Sequence, residues 1–183
     1  MIFRCADYLL QLGYLEAMKT FQGFIYRAFM RGALLLIVLS AHTVTAQDSI
    51  GWISIEEALE RASEEDKLIL IDVFAPWCPY CQRMQEEVYP DASVEESIDT
   101  YFLPVRISIE SDEEVRYLNR DFTQAEFARA LQYESVPTTY FMNAKGEVVG
   151  QQPGYLPEDL FASLLRYVGS GAYETQTFEE FEP

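Results

Sequence analysis

Histidine and cysteine are scarce in this sequence, which contains one histidine, His42, and three cysteines, Cys5, Cys78 and Cys81. His42 and Cys5 both lie within residues 1–46, a segment that the sequence predicts to be removed from the mature chain, as argued below. A mature chain without histidine excludes hydrolases and proteases that depend on a histidine base. Two cysteines fall short of the four Cys or His ligands of a structural zinc site, so no metal site is predicted. A copper carrier that uses the two thiolates stays open, with Met84 as the one further ligand nearby.

Cationic residues are also few, at 13 Lys and Arg against 30 Asp and Glu, which gives a formal net charge of −17. Nucleic acids and anionic membrane surfaces attract cationic proteins and repel a protein of this charge. Neither nucleic acid nor an anionic membrane surface is therefore expected as a partner.

Long apolar runs are absent except for residues 33–41, which follow Arg27 and Arg31 and precede small residues at 43–46. This positive, apolar, small-residue order is typical of a secretory signal peptide. The run is about half of the roughly 20 residues that cross a bilayer, so a signal peptide is favoured over an uncleaved membrane anchor. Both alternatives place the protein outside the cytoplasm, and the bacterial periplasm is the expected compartment.

The predicted organisation is a signal region over residues 1–46 and a single domain over residues 47–183. Met30 is the predicted translation start, because a compact signal begins there, and cleavage is expected after Ala46. A domain of this length is large enough to build one hydrophobic core. Its short tail after residue 172 mixes aromatic and acidic side chains, so packing on the domain and fraying both stay open.

Residues 77–81, Trp-Cys-Pro-Tyr-Cys, lie between an apolar run at 68–74 and a helical pattern at 82–89. Unpaired N–H groups and the dipole at a helix start favour an anion, so Cys78 is placed to react as a thiolate. Cys81 lies one turn further along the same helix face, within reach of a disulfide. The stretch predicts a redox-active Cys78–Cys81 pair, which needs no metal or organic cofactor.

The hydrophobic pattern predicts an order of elements that builds a mixed sheet with helices on both faces. Residues 110–122 are acidic and polar and are expected to form a loop or a poorly formed helix. Three helices are predicted to open on capping boxes at Ser54, Ser93 and Thr123, and Gly169 is expected to end the last helix. Helices are predicted at 55–64, 82–89, 93–101, 123–133 and 157–169, and strands at 67–74, 103–109, 136–142 and 147–151.

Three motifs carry a resemblance to the thioredoxin superfamily over about residues 50–170. They are Ala-Pro-Trp-Cys-Pro-Tyr-Cys at 75–81, Val-Pro-Thr at 136–138 and the turn that ends at Gly146. More closely, the chain resembles the periplasmic thioredoxin-like proteins of the SoxW type, through Met84, Glu87-Val88, residues 153–156, and residues 165–168 with 171–173. The resemblance implies a thioredoxin-like α/β fold, a three-layer α/β/α sandwich with a mixed central sheet and a C-terminal β-hairpin plus helix.

The resemblance also implies roles for individual residues. Cys78 resembles the attacking thiol, Cys81 the resolving thiol, and Asp72 the buried acid that assists proton transfer at the resolving thiol. Burial inside an apolar strand raises the pKa of a carboxyl group, which suits a proton acceptor. The alternative for Asp72 is a structural pairing with Arg106 or Lys67.

Around the thiols, Pro137 resembles the cis-proline that packs beside the disulfide. The backbone of Val136 resembles the segment that pairs with an extended substrate, and Gly154 the loop that borders the site. Substrate contact is also expected at three residues of the motif, Trp77, Pro79 and Tyr80. For Trp77, packing on the domain is the alternative. The Pro-Tyr pair between the cysteines resembles glutaredoxins rather than thioredoxins, which leaves the direction of electron flow open.

Together these features predict an exported thiol–disulfide oxidoreductase that reduces disulfides of proteins outside the cytoplasm. The resemblance implies protein disulfides and thiols as substrates, and a membrane thiol reductase of the DsbD or CcdA kind as electron donor. Two alternatives stay open. One is a disulfide oxidase or isomerase of the DsbA type, and the other is a non-catalytic binding module with the thioredoxin fold.

Overall fold

The computed structural model describes residues 50–181. The predicted signal region, with its start at Met30 and its cleavage after Ala46, lies outside the described residues. Among residues 50–181, no helix is both long enough and apolar enough to cross a membrane.

Helices and strands follow one another in the predicted order, with one added hairpin. The helix that carries the cysteines continues without a break into a π-helical segment. The elements are α1 (Ile55–Glu65), β1 (Leu68–Phe74), α2 (Pro79–Arg83), the π-helical segment (Met84–Val88), α3 (Ala92–Tyr101), β2 (Phe102–Ser108), β3 (Glu114–Tyr117), β4 (Arg120–Thr123), α4 (Gln124–Ala130), β5 (Thr138–Met142), β6 (Val148–Pro153), α5 (Glu158–Gly169), a 3₁₀ turn (Ala172–Glu174) and α6 (Phe178–Phe181).

The central sheet has four strands in the order β2–β1–β5–β6. β1 runs parallel to β2 and antiparallel to β5, and β5 runs antiparallel to β6, so the sheet is mixed as predicted. Residues 69–73 of β1 are all buried, because strands flank β1 on both sides and helices cover both faces. β1 therefore leads from the buried interior of the sheet to residues 75–81 at one end of the sheet.

A separate hydrophobic cluster covers each face of the sheet. On one face, α3, α5 and the π-helical segment pack against Leu70 and Phe141. On the other face, α1 and α4 pack against Ile69, Ile71 and Tyr140. The predicted three-layer α/β/α arrangement is therefore confirmed.

Residues 110–122 differ from the sequence prediction, because β3 and β4 form an antiparallel hairpin there. The prediction of a loop or a poorly formed helix is wrong for residues 114–122. The two loop residues, Leu118 and Asn119, have φ values of 48° and 64°. A two-residue loop of type I′ needs positive φ at both positions, and the usual signal for it, Asn-Gly, is missing here. Tyr117 anchors the hairpin by donating a hydrogen bond to the carbonyl of Gly146.

The helix starts are partly as predicted. Ser54 caps α1, and Thr123 forms a capping box with Glu126 at the start of α4. The predicted cap at Ser93 is wrong, because the carboxylate of Asp91 accepts the N–H groups of residues 93 and 94 at 2.9 and 3.2 Å. A carboxylate at this position is a strong acceptor that also interacts favourably with the helix dipole.

The tail packs on the last helix rather than fraying. The ring of Tyr167 on α5 contacts Phe178 and Phe181 at centroid distances of 5.4 and 5.5 Å. The Tyr167 hydroxyl also donates to the carbonyl of Gln176 at 2.7 Å. These contacts settle the open alternative for residues 173–181 in favour of packing on the domain.

Candidate functional site

Cys78 lies at the start of α2, one residue earlier than the first helical residue, Pro79. Its backbone is extended, and its sulfur accepts the N–H of Cys81 at 3.2 Å. The predicted helix start at Cys78 is therefore confirmed, because Cys78 caps the helix and proline suits the first helical position. The same sulfur donates to the carbonyl oxygen of Val136 at 3.5 Å, so the thiol is held between the helix start and a neighbouring loop.

Cys81 is a free thiol like Cys78, and it is the more buried of the two, at 2% exposed against 4%. Burial and the neighbouring Cys78 raise the pKa of Cys81 to about 12. The negative charge of Asp72 also raises this pKa. Cys81 therefore stays protonated at neutral pH until a nearby base accepts its proton.

Asp72 occupies the middle of β1, six residues before Cys78, and it is 1% exposed. Arg106 on the neighbouring strand donates from Nε to Oδ2 of Asp72 at 3.2 Å. Burial nevertheless outweighs this ion pair and raises the pKa of Asp72 to about 6. The sequence suggested that Asp72 is either a buried acid or a partner of Arg106, and Asp72 is both buried and paired with Arg106. Lys67, the other suggested partner, instead contacts Glu65 and the carbonyl of Asp99.

The guanidinium group of Arg106 is held by aromatic rings as well as by Asp72. It lies 4.0 Å from the ring centre of Phe74 and 5.6 Å from that of Trp52. These contacts keep Arg106 beside a cavity of about 150 Å³ that Cys81 and Phe74 also line. The cavity lies between Cys81 and the Arg106 end of the Asp72–Arg106 ion pair.

The loop before β5 completes the site. The peptide bond between Val136 and Pro137 is cis, the geometry that the resemblance implies. Gly154 has a φ of 83° and donates its N–H to the carbonyl of Pro137 at 2.8 Å. Glycine suits this positive φ, which lets the loop turn close against the proline. Val136, Pro137 and Gly154 therefore lie together, beside the sulfur of Cys78.

Two aromatic side chains of the motif are exposed at the rim. Trp77 is 62% exposed and Tyr80 is 56% exposed, so Trp77 does not bury itself in the domain. The indole N–H of Trp77 donates to a carboxylate oxygen of Glu110 at 2.8 Å. The ring of Tyr80 lies 6.0 Å from that of Tyr155. Large exposed aromatic side chains beside a reactive thiol are typical of a surface that contacts a partner.

Sequence reasoning missed the residues that support these side chains from a distance. Glu110 is 33 residues from Trp77, and no local pattern links the two. Tyr155 packs under the guanidinium group of Arg83, 4.5 Å from its ring centre, and Arg83 pairs with Glu87 at 2.7 Å. The i, i+4 spacing of Arg83 and Glu87 was the one available signal for this group.

No group of three or more His, Cys, Asp or Glu side chains within residues 50–181 is arranged to hold a metal ion. The cysteine pair itself is the chemically reactive feature of this surface. Two free thiols three residues apart, one at a helix start and one buried beside an acid, can pass two electrons to a disulfide.

Comparison with known proteins points to one family. The family description "Thioredoxin-like domain" matches residues 55–169. Thioredoxin H4 of Arabidopsis thaliana is 32% identical over 111 residues, which cover 61% of this chain and 80% of the plant protein. The thiol:disulfide interchange protein DsbD of Vibrio cholerae serotype O1 is 25% identical over 122 residues, which cover 63% of this chain but 18% of DsbD.

Solved structures that match this chain include a thioredoxin and a thioredoxin-fold protein. A thioredoxin from Thermus thermophilus matches with a TM-score of 0.54 and 28% identity, over 66% of this chain and 87% of that one. A thioredoxin-fold protein from Helicobacter pylori matches with a TM-score of 0.58 over 75% of this chain and 86% of that one. At 21% identity, the second match supports the fold alone.

Proposed function

Because the chain belongs to the thioredoxin-like family, we propose that it is an exported thiol–disulfide oxidoreductase that reduces disulfides of other proteins. The observation that carries the proposal is the position of the Cys78 sulfur. It accepts a backbone N–H at the start of α2 and lies beside the carbonyl of Val136, with Cys81 one turn away. Cys78 is the attacking thiol in this proposal, and Cys81 is the resolving thiol.

In the first step, the thiolate of Cys78 attacks one sulfur of a client disulfide. A mixed disulfide forms between Cys78 and the client, and the other client sulfur leaves as a thiolate that takes a proton from solvent. In the second step, Cys81 passes its proton to Asp72 and attacks the sulfur of Cys78. The Cys78–Cys81 disulfide forms, the second client thiolate is released, and two electrons have moved to the client.

Asp72 suits the second step because of its two opposing interactions. A carboxyl group with a pKa of about 6 is mostly ionised at neutral pH, yet it accepts a proton more readily than an exposed aspartate. The raised pKa of Cys81 makes such an acceptor necessary. The cavity beside Cys81 and Arg106 gives the proton a route to solvent after each turnover.

The client lies, in this proposal, along the loop that contains Val136 and Pro137. An extended client segment pairs with the backbone at Val136 and places its disulfide over Cys78. The exposed rings of Trp77 and Tyr80 contact the client on one side, with Pro79 between the cysteines. Gly154 borders the same surface and leaves room for the client because it has no side chain.

The finer assignment is to the periplasmic SoxW type, with electrons supplied by a membrane thiol reductase of the DsbD or CcdA kind. The motifs shared with that type and the predicted signal over residues 1–46 support this assignment. The similarity to DsbD of Vibrio cholerae supports thiol exchange with redox partners in general. Export is tested by locating the full-length chain in cell fractions and sequencing the N-terminus of the recovered protein.

The exchange mechanism is tested by trapping its intermediate. In a Cys81→Ser variant, the mixed disulfide cannot be resolved, so client proteins should stay covalently bound to Cys78. They should be released by dithiothreitol, which non-reducing gels followed by mass spectrometry would detect. A Cys78→Ser variant is the matched control and should trap nothing. Absence of adducts with Cys81→Ser would contradict the mechanism and favour a non-catalytic binding module.

The direction of electron flow is tested by the reduction potential of the Cys78–Cys81 pair in residues 47–183, measured in defined thiol buffers. A value near roughly −270 mV, as in thioredoxin, is expected for a reductase. A value near roughly −120 mV would instead indicate an oxidase of the DsbA type.

A further inference from the structure

Tyr89 is a buried tyrosine that the exchange mechanism does not use. It follows the π-helical segment and is 1% exposed. Its ring is held edge-on by Trp52, at a centroid distance of 5.1 Å, and by Phe161, at 6.0 Å. Two perpendicular aromatic contacts leave the ring little freedom, so the direction of its hydroxyl group is fixed by packing.

The hydroxyl group of Tyr89 lies within reach of the side chains of Asp72 and Thr139. Tyr89 and Asp72 act on each other, because Tyr89 lowers the pKa of Asp72 and the negative charge of Asp72 raises the pKa of Tyr89. The two side chains are close enough to interact, but no hydrogen bond of good geometry reaches the Tyr89 hydroxyl or Oδ1 of Asp72 among residues 50–181. Arg106 donates only to Oδ2. A buried donor and a buried acceptor therefore face each other without a fully formed hydrogen bond.

We propose that Tyr89 is a positioning residue that donates a hydrogen bond to Oδ1 of Asp72 when the carboxylate is ionised. The proposal rests on the proposed function, in which Asp72 accepts the proton of Cys81. Tyr89 and Arg106 would then hold one oxygen each, so the acid keeps a single orientation while it gains and loses a proton. This arrangement gives Asp72 two supports from two different elements.

Tyr89 does not itself act as the base. Burial raises the pKa of Tyr89 well above its ordinary value, so its hydroxyl stays protonated at every pH at which the protein functions. A neutral hydroxyl can donate to a carboxylate and can accept from a carboxylic acid. When Cys81 passes its proton to Asp72, Tyr89 reverses its hydrogen bond, and no proton leaves the tyrosine.

Few groups other than Tyr89 lie close enough to Asp72 to change its pKa. Arg106 on β2 and Tyr89 lower its pKa, and Cys81 on α2 is coupled to it electrostatically. β5 places Thr139 opposite Asp72, and its hydroxyl also interacts with Tyr89, but threonine carries no charge. A change made at Tyr89 alone should therefore be visible in the titration of Asp72.

The experiment compares Tyr89→Phe with Tyr140→Phe. Tyr140 is also buried with an unpartnered hydroxyl, but it belongs to the hydrophobic cluster on the opposite face of the sheet. The side-chain carboxyl of Asp72 is followed by NMR between pH 4 and pH 9 in the reduced protein, with ¹³C-labelled aspartate. Tyr89→Phe should raise the pKa of Asp72 by about one pH unit, because a hydrogen bond to the charged form is lost. Tyr140→Phe should leave it unchanged.

An unchanged pKa in Tyr89→Phe, or an equal rise in both variants, would overturn the proposal. The wild-type protein provides a second measurement if Tyr89→Phe does not fold. The ¹³Cζ resonance of Tyr89 should shift with the same midpoint as Asp72, and a resonance that stays constant through that range would also overturn the proposal. Neither titration needs a client or turnover. The role of Tyr89 and the exchange mechanism, which the Cys81→Ser trap tests, can therefore fail independently.

Discussion

Asp72 is the residue at which burial and charge compete most directly. Desolvation of its carboxylate raises its pKa, and the ion pair with Arg106 offsets only part of that effect, which leaves the pKa at about 6. A folded-state pKa above the unfolded value means that the native protein binds the proton more tightly than the unfolded chain does. The contribution of Asp72 to stability is then fully present below about pH 4 and is lost as the pH rises through 6.

This sign gives a prediction for the Asp72→Asn variant. The difference between the ordinary pKa of 3.8 and a pKa of about 6 corresponds to roughly 3 kcal/mol. We expect the free energy of unfolding of the wild type to fall by about that amount from Asp72 between pH 4 and pH 8. Asp72→Asn should lack this fall. Urea denaturation across the range measures it, with the exposed Asp99→Asn as a control that should keep the wild-type pH dependence. Parallel curves for all three proteins would show that the acid is not destabilised by burial.

At the scale of elements, α3 and α5 pack against each other on one face of the sheet, and Gly169 at the end of α5 lies against Tyr101 at the end of α3. A Cβ atom added at Gly169 would overlap the side chain of Tyr101. The prediction that α5 ends at Gly169 is confirmed, and the positive φ of 74° that follows the helix lies at Gly171. The glycine at 169 is therefore explained by packing rather than by backbone conformation.

Gly169→Ala should accordingly destabilise the protein by about 1–3 kcal/mol, because the added methyl group must push two packed helices apart. Thermal or urea unfolding would measure the loss. Gly51→Ala adds the same methyl group where no atom lies within 4 Å, and it should change stability by less than about 0.5 kcal/mol. Equal effects of the two substitutions would contradict the packing explanation.

The elements that were predicted correctly are those with strong local signals. β1 is an apolar run interrupted only by Asp72, α4 opens on a capping box at Thr123, and α2 begins at the cysteine motif. The β3–β4 hairpin was missed because its strands are half-exposed and its loop, Leu118-Asn119, contains no glycine. Local pattern is informative where a segment is buried on both faces or capped by its own residues, and the hairpin has neither property.

For the site, the sequence was informative about residues near the cysteines and uninformative about their distant supports. Cys78, Cys81 and Pro137 belong to short motifs, and Asp72 stands out as a carboxylate in an apolar strand. No local sequence pattern indicates Tyr89 or Glu110, because their partners, Asp72 and Trp77, are distant along the chain. Only the fold brings these pairs together.

At the scale of the whole molecule, the chain has a formal net charge of −17. Carboxylates also lie at the rim of the site itself. Glu110 holds Trp77 on one side, and Glu86 lines the cavity beside Cys81. A surface of one sign raises the local concentration of partners of the opposite sign and slows the approach of partners of the same sign. Basic clients should therefore reach Cys78 faster than acidic ones.

Two disulfide peptides that differ only in flanking Lys or Glu residues would measure this preference. At low ionic strength, the Lys peptide should be reduced about tenfold faster than the Glu peptide. The ratio should approach one in about 1 M salt, where the Debye length is only about 3 Å. A ratio that does not change with salt would mean that direct contacts, rather than the overall charge, select the client.

The buried acid of β1 also has a consequence for selection. A library screened only for thermal resistance near neutral pH should favour neutral residues at position 72, whereas a library screened for disulfide reduction should retain aspartate there. A position at which the two screens select different residues is one where natural selection has kept catalytic activity at the expense of stability. Position 72 should stand out in that comparison whichever client is used in the reduction screen.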